Sequence, residues 1–391
     1  MFALLTFIIC INIISGYNNG VGRLPYMGWN TWCTDDTCGY DVCNSDEIKE
    51  IADAMLSNGM YDAGYRYINM DDCWLACNRT ANGTLYAEPT RFPEGMPAMI
   101  KYIHDLKTPI AGDTLKYGLY TDIGTHTCSG GHRNGCSPPG LYGHYTQDAQ
   151  TLSSWNVDLI KFDGCSKPSN ESSQSLNTQW SQALNKTGVH ILLELDGTYS
   201  LPAPDYVRDL AQAWKINPDH HDEWSSTKSL ISDVIKQNVT KLDGPYGWGY
   251  FDFLMTGGQG CPGNYNNDQH LHCPGQTDVE YMTEFAVFAI ASSPLLVATD
   301  IRNMTDIMKK ILLNTEIIAV NQRDDTPAGN LIYYWDCSGP KDTCQVWGRM
   351  LNSSAMAVSA INVDDNQHGI TIQFDKLPYM GWNSNTKVNV R

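Results

Sequence analysis

Along most of this chain, short runs of β-branched and aromatic residues are separated by longer amphipathic stretches. That alternation predicts βαβ units and a parallel sheet. Eight runs read as strands: YMGW (26–29), YRYINMDD (65–72), KYGLYTD (116–122), VDLIKFD (157–163), HILLELD (190–196), AWKIN (213–217), one run within 241–254, and PLLVATD (294–300). Between them lie helical patterns. SDEIKEIADAMLSNGM (45–60) places Ile48, Ile51, Ala52, Met55 and Leu56 at helical spacing, with Ser45 as the expected N-cap and Glu47 and Glu50 near its start. The other predicted helices are MPAMIKYIHDL, YTQDAQTLSSW, LNTQWSQALN, STKSLISDVIKQ and VEYMTEFAVFAIA. Eight strands with intervening helices over about 300 residues predict an α/β fold of the (β/α)₈ (TIM) barrel type. A doubly wound open sheet is the alternative, but no G-x-G-x-x-G follows the first strand.

After Asn321 the pattern shortens to LIYYWDC, CQVWGRM, AMAVSAINV and GITIQF, which predicts a small C-terminal antiparallel β domain that reads as incomplete. The expected division is 1–20 as a signal peptide, 21–322 as the barrel and 323–391 as the β domain. The heptapeptide LPYMGWN occurs twice, at 24–30 and 377–383, yet nothing like a second barrel follows the second copy. A repeat architecture is therefore not expected.

Charge narrows the function. The chain carries 26 Lys and Arg against 43 Asp and Glu, with no basic cluster, which argues against nucleic acid. The opening run MFALLTFIICINIISG has signal-peptide length and is short for a bilayer span. Its removal takes away Cys10 and leaves twelve of the thirteen cysteines, an even number suited to an oxidising compartment. Seven sequons, at Asn78, Asn82, Asn170, Asn185, Asn238, Asn303 and Asn352, point the same way. The expected location is the secretory pathway, secreted or lysosomal/vacuolar, without membrane insertion.

The chemistry lies at the strand ends. Asp71, Asp72, Asp122, Asp163, Asp196 and Asp300 each close a predicted strand, and in a barrel those ends form the active-site face. A single such Asp is more often a turn residue or helix cap; the set, with Trp29 and Tyr120 beside it, suits a sugar ring. No H-E-x-x-H, C-x-x-C or G-x-S-x-G is present, so metal, thiol-redox and serine-hydrolase readings gain no support. Of the adjacent His220 and His221, at most one would point inward. No cofactor is expected.

MGWNTW, YINMDDCW, YGLYTDIGTHTC, LIKFDGC and PDHHDEW, in this order, resemble the α-galactosidase and α-N-acetylgalactosaminidase family, glycoside hydrolase family 27. The resemblance runs from Leu24 to about Gln322. It implies retaining hydrolysis of terminal α-galactosides, with Asp163 in the nucleophile's place and Asp219 in the acid/base place. It also implies a binding set of Trp29, Asp71, Asp72, Tyr120, Lys161, Asp196, Lys215 and Asp252. Retention needs two carboxyls about 5–5.5 Å apart. Asp219 must hold a proton in the first step, which suggests an acidic working pH. Asp196, with Tyr199 nearby, favours galactose over N-acetylgalactosamine at the position that meets the 2-substituent. α-N-Acetylgalactosaminidase is the alternative enzyme, a β-L-arabinopyranoside hydrolase stays open, and a catalytically inactive galactose-binding protein is the alternative from another class. The expected partner is an α-galactoside oligosaccharide or glycoconjugate; a homodimer stays open.

The chain departs from the family's pattern at three places. Lys215 stands where the family usually has Arg, which removes a bidentate fork. WGYFD replaces W-N-D-P-D, so an acid is missing beside Asp252. GGQGCPGNYNNDQHLHC (257–273) is expected to reshape the rim. The resemblance further implies pairing of Cys128 with Cys165, of Cys73 with one of Cys33, Cys38 and Cys43, of Cys337 with Cys344, and of Cys261 with Cys273. Cys77 and Cys136 remain and are expected to pair.

Overall fold

The computed structural model describes residues 17–32, 43–129, 136–197, 200–237, 239–258, 274–337, 343–378, 381–383 and 385–390. Eight parallel strands follow one another around a curled sheet: β1 (Met27–Asn30), β2 (Tyr67–Met70), β3 (Lys116–Asp122), β4 (Leu159–Asp163), β5 (Leu192–Leu195), β6 (Ala213–Lys215), β7 (Trp248–Tyr250) and β8 (Leu295–Val297). The hydrogen-bonded order is β7-β6-β5-β4-β3-β2-β1-β8. The ring closes just beyond β7, where Leu254 N donates to Leu296 O (2.7 Å) and Ala298 N to Leu254 O (3.1 Å).

The strands form because they are buried on both faces and rich in residues suited to that, as parallel strands under a helical layer must be. Helix α1 (Ser45–Ser57) buries Ile48, Ile51, Ala52 and Met55, the face that the spacing predicts. Each such Ile or Met side chain contributes roughly 1.5–3 kcal/mol by leaving water. Ser45 is not the cap. Asn44 is, its side chain accepting from the Asp46 and Glu47 amides. The Ser45 hydroxyl turns instead to Arg91 O at 3.0 Å, so the better-placed amide takes the cap. After α2 (Met60–Ala63) come the predicted α3 (Met96–Asp105), α4 (Tyr145–Ser154), α5 (Ser173–Asn185), α6 (Trp224–Gln237) and α7 (Asp278–Ile290). Two short helices that the pattern does not predict, α8 (Asp306–Leu312) and α9 (Thr315–Asn321), lead out of the barrel.

The second sheet is antiparallel, with order β11-β10-β9 for β9 (Asn330–Trp335), β10 (Cys344–Asn352) and β11 (Ala355–Asn362). GITIQF, read as a strand, forms none; it runs into a short 3₁₀ turn at Phe374–Lys376. The buried Arg349 joins the sheet to the barrel, donating to the carbonyls of Asn321 (3.0 Å), Arg323 (3.1 Å) and Thr326 (3.1 Å). In the first LPYMGWN, residues 27–30 are strand β1, whereas the described residues of the second copy carry no strand. No helix among the described residues is long and apolar enough to cross a membrane.

Candidate active site

Strands β3 and β4 run in register, with Tyr120 opposite Lys161 and Asp122 opposite Asp163. Side chains two apart on a strand share a face, so Lys161 and Asp163 project together into the mouth of the barrel. Asp163 Oδ2 accepts from the Tyr120 hydroxyl at 3.0 Å, and Asp163 Oδ1 from the Gly164 amide at 2.7 Å. Burial and the neighbouring Asp196 charge push Asp163 up to about 7, against the pull of Lys161 and Lys215. The backbones behind Asp163 and Asp196 nearly touch: a Cβ on Gly164 would lie 2.6 Å from Gly197 Cα. Only glycine at that point lets the two backbones come so close.

Two buried lysines organise the acids. Lys161 Nζ lies 2.9 Å from Asp71 and 3.0 Å from Asp196. Lys215 Nζ lies 3.4 Å from the other Asp196 oxygen, 3.2 Å from Asp252, and against Asp219. Burial alone would lower both ammonium groups, but the surrounding carboxylates, Asp196 first, reverse this and hold both well above the ordinary lysine value. Lys161 also sits over the rings of Phe253 (5.1 Å), Trp32 (5.5 Å) and Tyr120 (5.6 Å). These contacts fix a cation beneath an aromatic wall.

Asp219 lies beyond β6, its side chain 55 % exposed. Burial pushes its carboxyl up, but Lys215 outweighs this and holds it below the ordinary value. The two carboxyls are thus shifted in opposite directions, Asp163 up and Asp219 down, although the sequence predicts the proton on Asp219. Asp252 follows β7 in the left-handed region (φ 72°), which is uncommon for a residue with a Cβ. Its Oδ2 accepts from the His220 amide at 2.7 Å. His220 is buried and His221 exposed.

The structure brings Asp71, Tyr120, Lys161, Asp163, Asp196, Lys215, Asp219 and Asp252 together at one end of the sheet. Asp72 joins their edge, accepting from the Ser129 amide at 2.6 Å. Trp29 is fully buried, its indole donating to Thr299 O at 2.8 Å. Asp300, read as one of the strand-end set, turns away and pairs with Arg302 at 2.8 Å. Asp122 stays near the site, accepting from the Gly124 and Cys165 amides at 2.8 and 3.1 Å. Trp32 and Phe253, outside the predicted binding set, also face the Lys161 ammonium. Trp32 stands in MGWNTW and Phe253 directly follows Asp252, so adjacency to motif residues was the available signal.

Disulfides brace this mouth. Cys43–Cys73, Cys77–Cys136 and Cys128–Cys165 are formed, as is Cys337–Cys344 in the smaller sheet. Cys128 and Cys165 border Asp122, but sulfurs tied in a disulfide cannot serve as thiolate ligands, so this trio is no metal site. Cys33, Cys38, Cys261, Cys273 and Tyr199 lie outside the described residues.

Known proteins resemble this chain in sequence and in fold. The sequence profile of the α-galactosidase A family matches residues 23–323. Human α-galactosidase A is 34% identical over 361 residues, covering 88% of this chain and 75% of that protein. A probable α-galactosidase of Dictyostelium discoideum is 33% identical over 373 residues, covering 94% and 85%. The crystal structure of α-galactosidase I from Mortierella vinacea superposes with a TM-score of 0.75 at 28% identity, covering 92% of this chain and 86% of that one. On the strength of the family match and these relatives, the chain belongs to the α-galactosidase A family.

Proposed function

We propose that the protein is a retaining glycosidase that releases terminal α-linked galactose from oligosaccharides or glycoconjugates. The observation that carries this reading is the Lys161–Asp196–Lys215 chain set beside Asp163: two cations, each in contact with acids, at one end of the sheet. In the first step the Asp163 carboxylate attacks the anomeric carbon. The bond to the leaving oxygen breaks with its electron pair, and Asp219 supplies that oxygen with a proton. In the second step Asp219 takes a proton from water, whose oxygen displaces Asp163 from the sugar. Positive charge developing on the ring meets a mouth lined by carboxylates, which favours the transition state over the neutral substrate. The Tyr120 hydroxyl steadies Asp163 and withdraws as the ester forms.

Asp71 and Asp72 are assigned to the galactose hydroxyls on the 4-OH side, and Lys161 to the same edge. Asp196 is assigned to the 2-OH. Its burial and its two lysine partners leave a fixed acceptor where an acetamide would need space. The test is kcat/KM on aryl α-galactoside against aryl α-N-acetylgalactosaminide, together with trapping by 5-fluoro-α-galactosyl fluoride. Preference for the galactoside, with the label on the Asp163 peptide, supports the reading. Preference for the acetamide overturns the sugar assignment, and a label elsewhere overturns the nucleophile. Turnover of neither sugar by folded protein would move the weight to a galactose-binding role.

We also place the barrel at 21–322, the β domain at 323–391, and the protein in the secretory pathway, where its disulfides would be stable.

A further inference from the structure

Asp219 is more than half exposed and has Lys215 as its side-chain partner, so its own packing does not fix it. Its neighbour in the chain is fixed. The His220 ring is fully buried between two elements: one nitrogen meets Ser226 Oγ at 2.9 Å on α6, the other Glu284 Oε1 at 2.7 Å on α7. One proton lies between ring and carboxyl in that contact whichever group formally owns it. The Met255 amide approaches both Glu284 oxygens, at 3.4 and 3.3 Å. The His220 amide donates to Asp252 at 2.7 Å. Glu284 thus ties the loop after β6 to the loop after β7, and the residue next to Asp219 is the knot. The α7 pattern is otherwise that of a core-facing helix, and a carboxyl buried there is costly unless paired.

We propose that His220 and Glu284 form a positioning pair that sets the angle and reach of Asp219 toward the leaving oxygen. The inference rests on Asp219 being the acid/base. Its signature is chemical. A misplaced acid slows the release of leaving groups that need a proton and spares those that do not.

The experiment compares kcat/KM on an alkyl α-galactoside and on α-galactosyl fluoride for the intact enzyme, Glu284→Ala, Glu284→Gln and Asp219→Ala, with thermal unfolding of each. Glu284→Ala is expected to lose about 10- to 100-fold on the alkyl galactoside and less than about threefold on the fluoride. Glu284→Gln keeps an oxygen acceptor for the ring and is expected to restore most of the loss. Equal loss on both substrates, or no loss on either, overturns the pair's role provided Asp219→Ala shows the leaving-group difference. If Asp219→Ala itself lacks that difference, the acid/base assignment fails first. Should Glu284→Ala not fold, Ser226→Ala frees the other side of the ring and is read in the same way: a selective loss supports the proposal and an equal or absent loss overturns it.

Discussion

Lys161 and Asp196, projecting from adjacent strands, meet at 3.0 Å below the mouth of the barrel, and Asp196 offers its other oxygen to Lys215 at 3.4 Å. One carboxylate therefore bridges both site cations. Replacing Asp196 by Ala removes the acceptor assigned to the 2-OH and leaves two buried ammonium groups facing each other. Galactoside kcat/KM is expected to fall about 100-fold or more, because a site built around a polar contact discriminates strongly when that contact is lost. Steady-state kinetics on aryl α-galactoside checks this; a loss below about fivefold would remove Asp196 from the binding set.

Asp163→Asn is expected to reduce turnover by about 10⁴-fold or more if Asp163 is the nucleophile as proposed. The same change alters stability with a definite sign. The folded Asp163 carboxyl titrates near about 7, against an ordinary value of 3.8, so the native state binds more protons between those values. Its favourable contribution is complete below about pH 4 and is lost as pH rises through about 7. The Asn variant should gain about 3 °C or more in Tm at pH 7.5 and nothing at pH 4, as calorimetry at the two pH values would show.

Lys215 lowers both Asp163 and Asp219. Lys215→Met should therefore move both limbs of the pH profile of kcat/KM upward while raising KM. Lys215→Arg keeps the charge and should leave the limbs within about half a pH unit. A profile that moves downward in the Met variant would show that the ammonium group does not govern these carboxyls.

Cys128–Cys165 ties the loop after β3 to the loop after β4, with Cys128 Sγ 3.2 Å from Asp163 Oδ2. Cys128→Ser with Cys165→Ser should cost about 2–4 kcal/mol of stability. It should lower kcat more than it raises KM, because Cys128 Sγ lies directly against Asp163 at the end of β4. Denaturant unfolding and kinetics on the same preparation give both numbers.

The barrel was legible because its strands are buried on both faces and end in carboxylates; β3 begins and ends at Lys116 and Asp122, as read. Where context decides, the sequence was mute. LPYMGWN supplies a strand where β2 and β8 flank it, and its described residues supply none near the C-terminus. GITIQF has strand composition but forms no strand. Asp300 looks like Asp163 in sequence and differs because Arg302, two residues on, captures it. Glu284 was invisible because its partner His220 is 64 residues away, and no local pattern marks such a pair.

The closure of the barrel bears on where its ring can part. Seven joints of the ring are strand ladders, whereas the eighth is held by the backbone of Leu254. A hoop fastened by one clasp concentrates its strain there, so breathing of the girth is felt first at that clasp. Asp252 lies two residues upstream of it, in a left-handed conformation that already stores strain. Parting of the two Leu254 hydrogen bonds would open the ring beside Asp252 and leave the β3–β4 ladder under Asp163 intact.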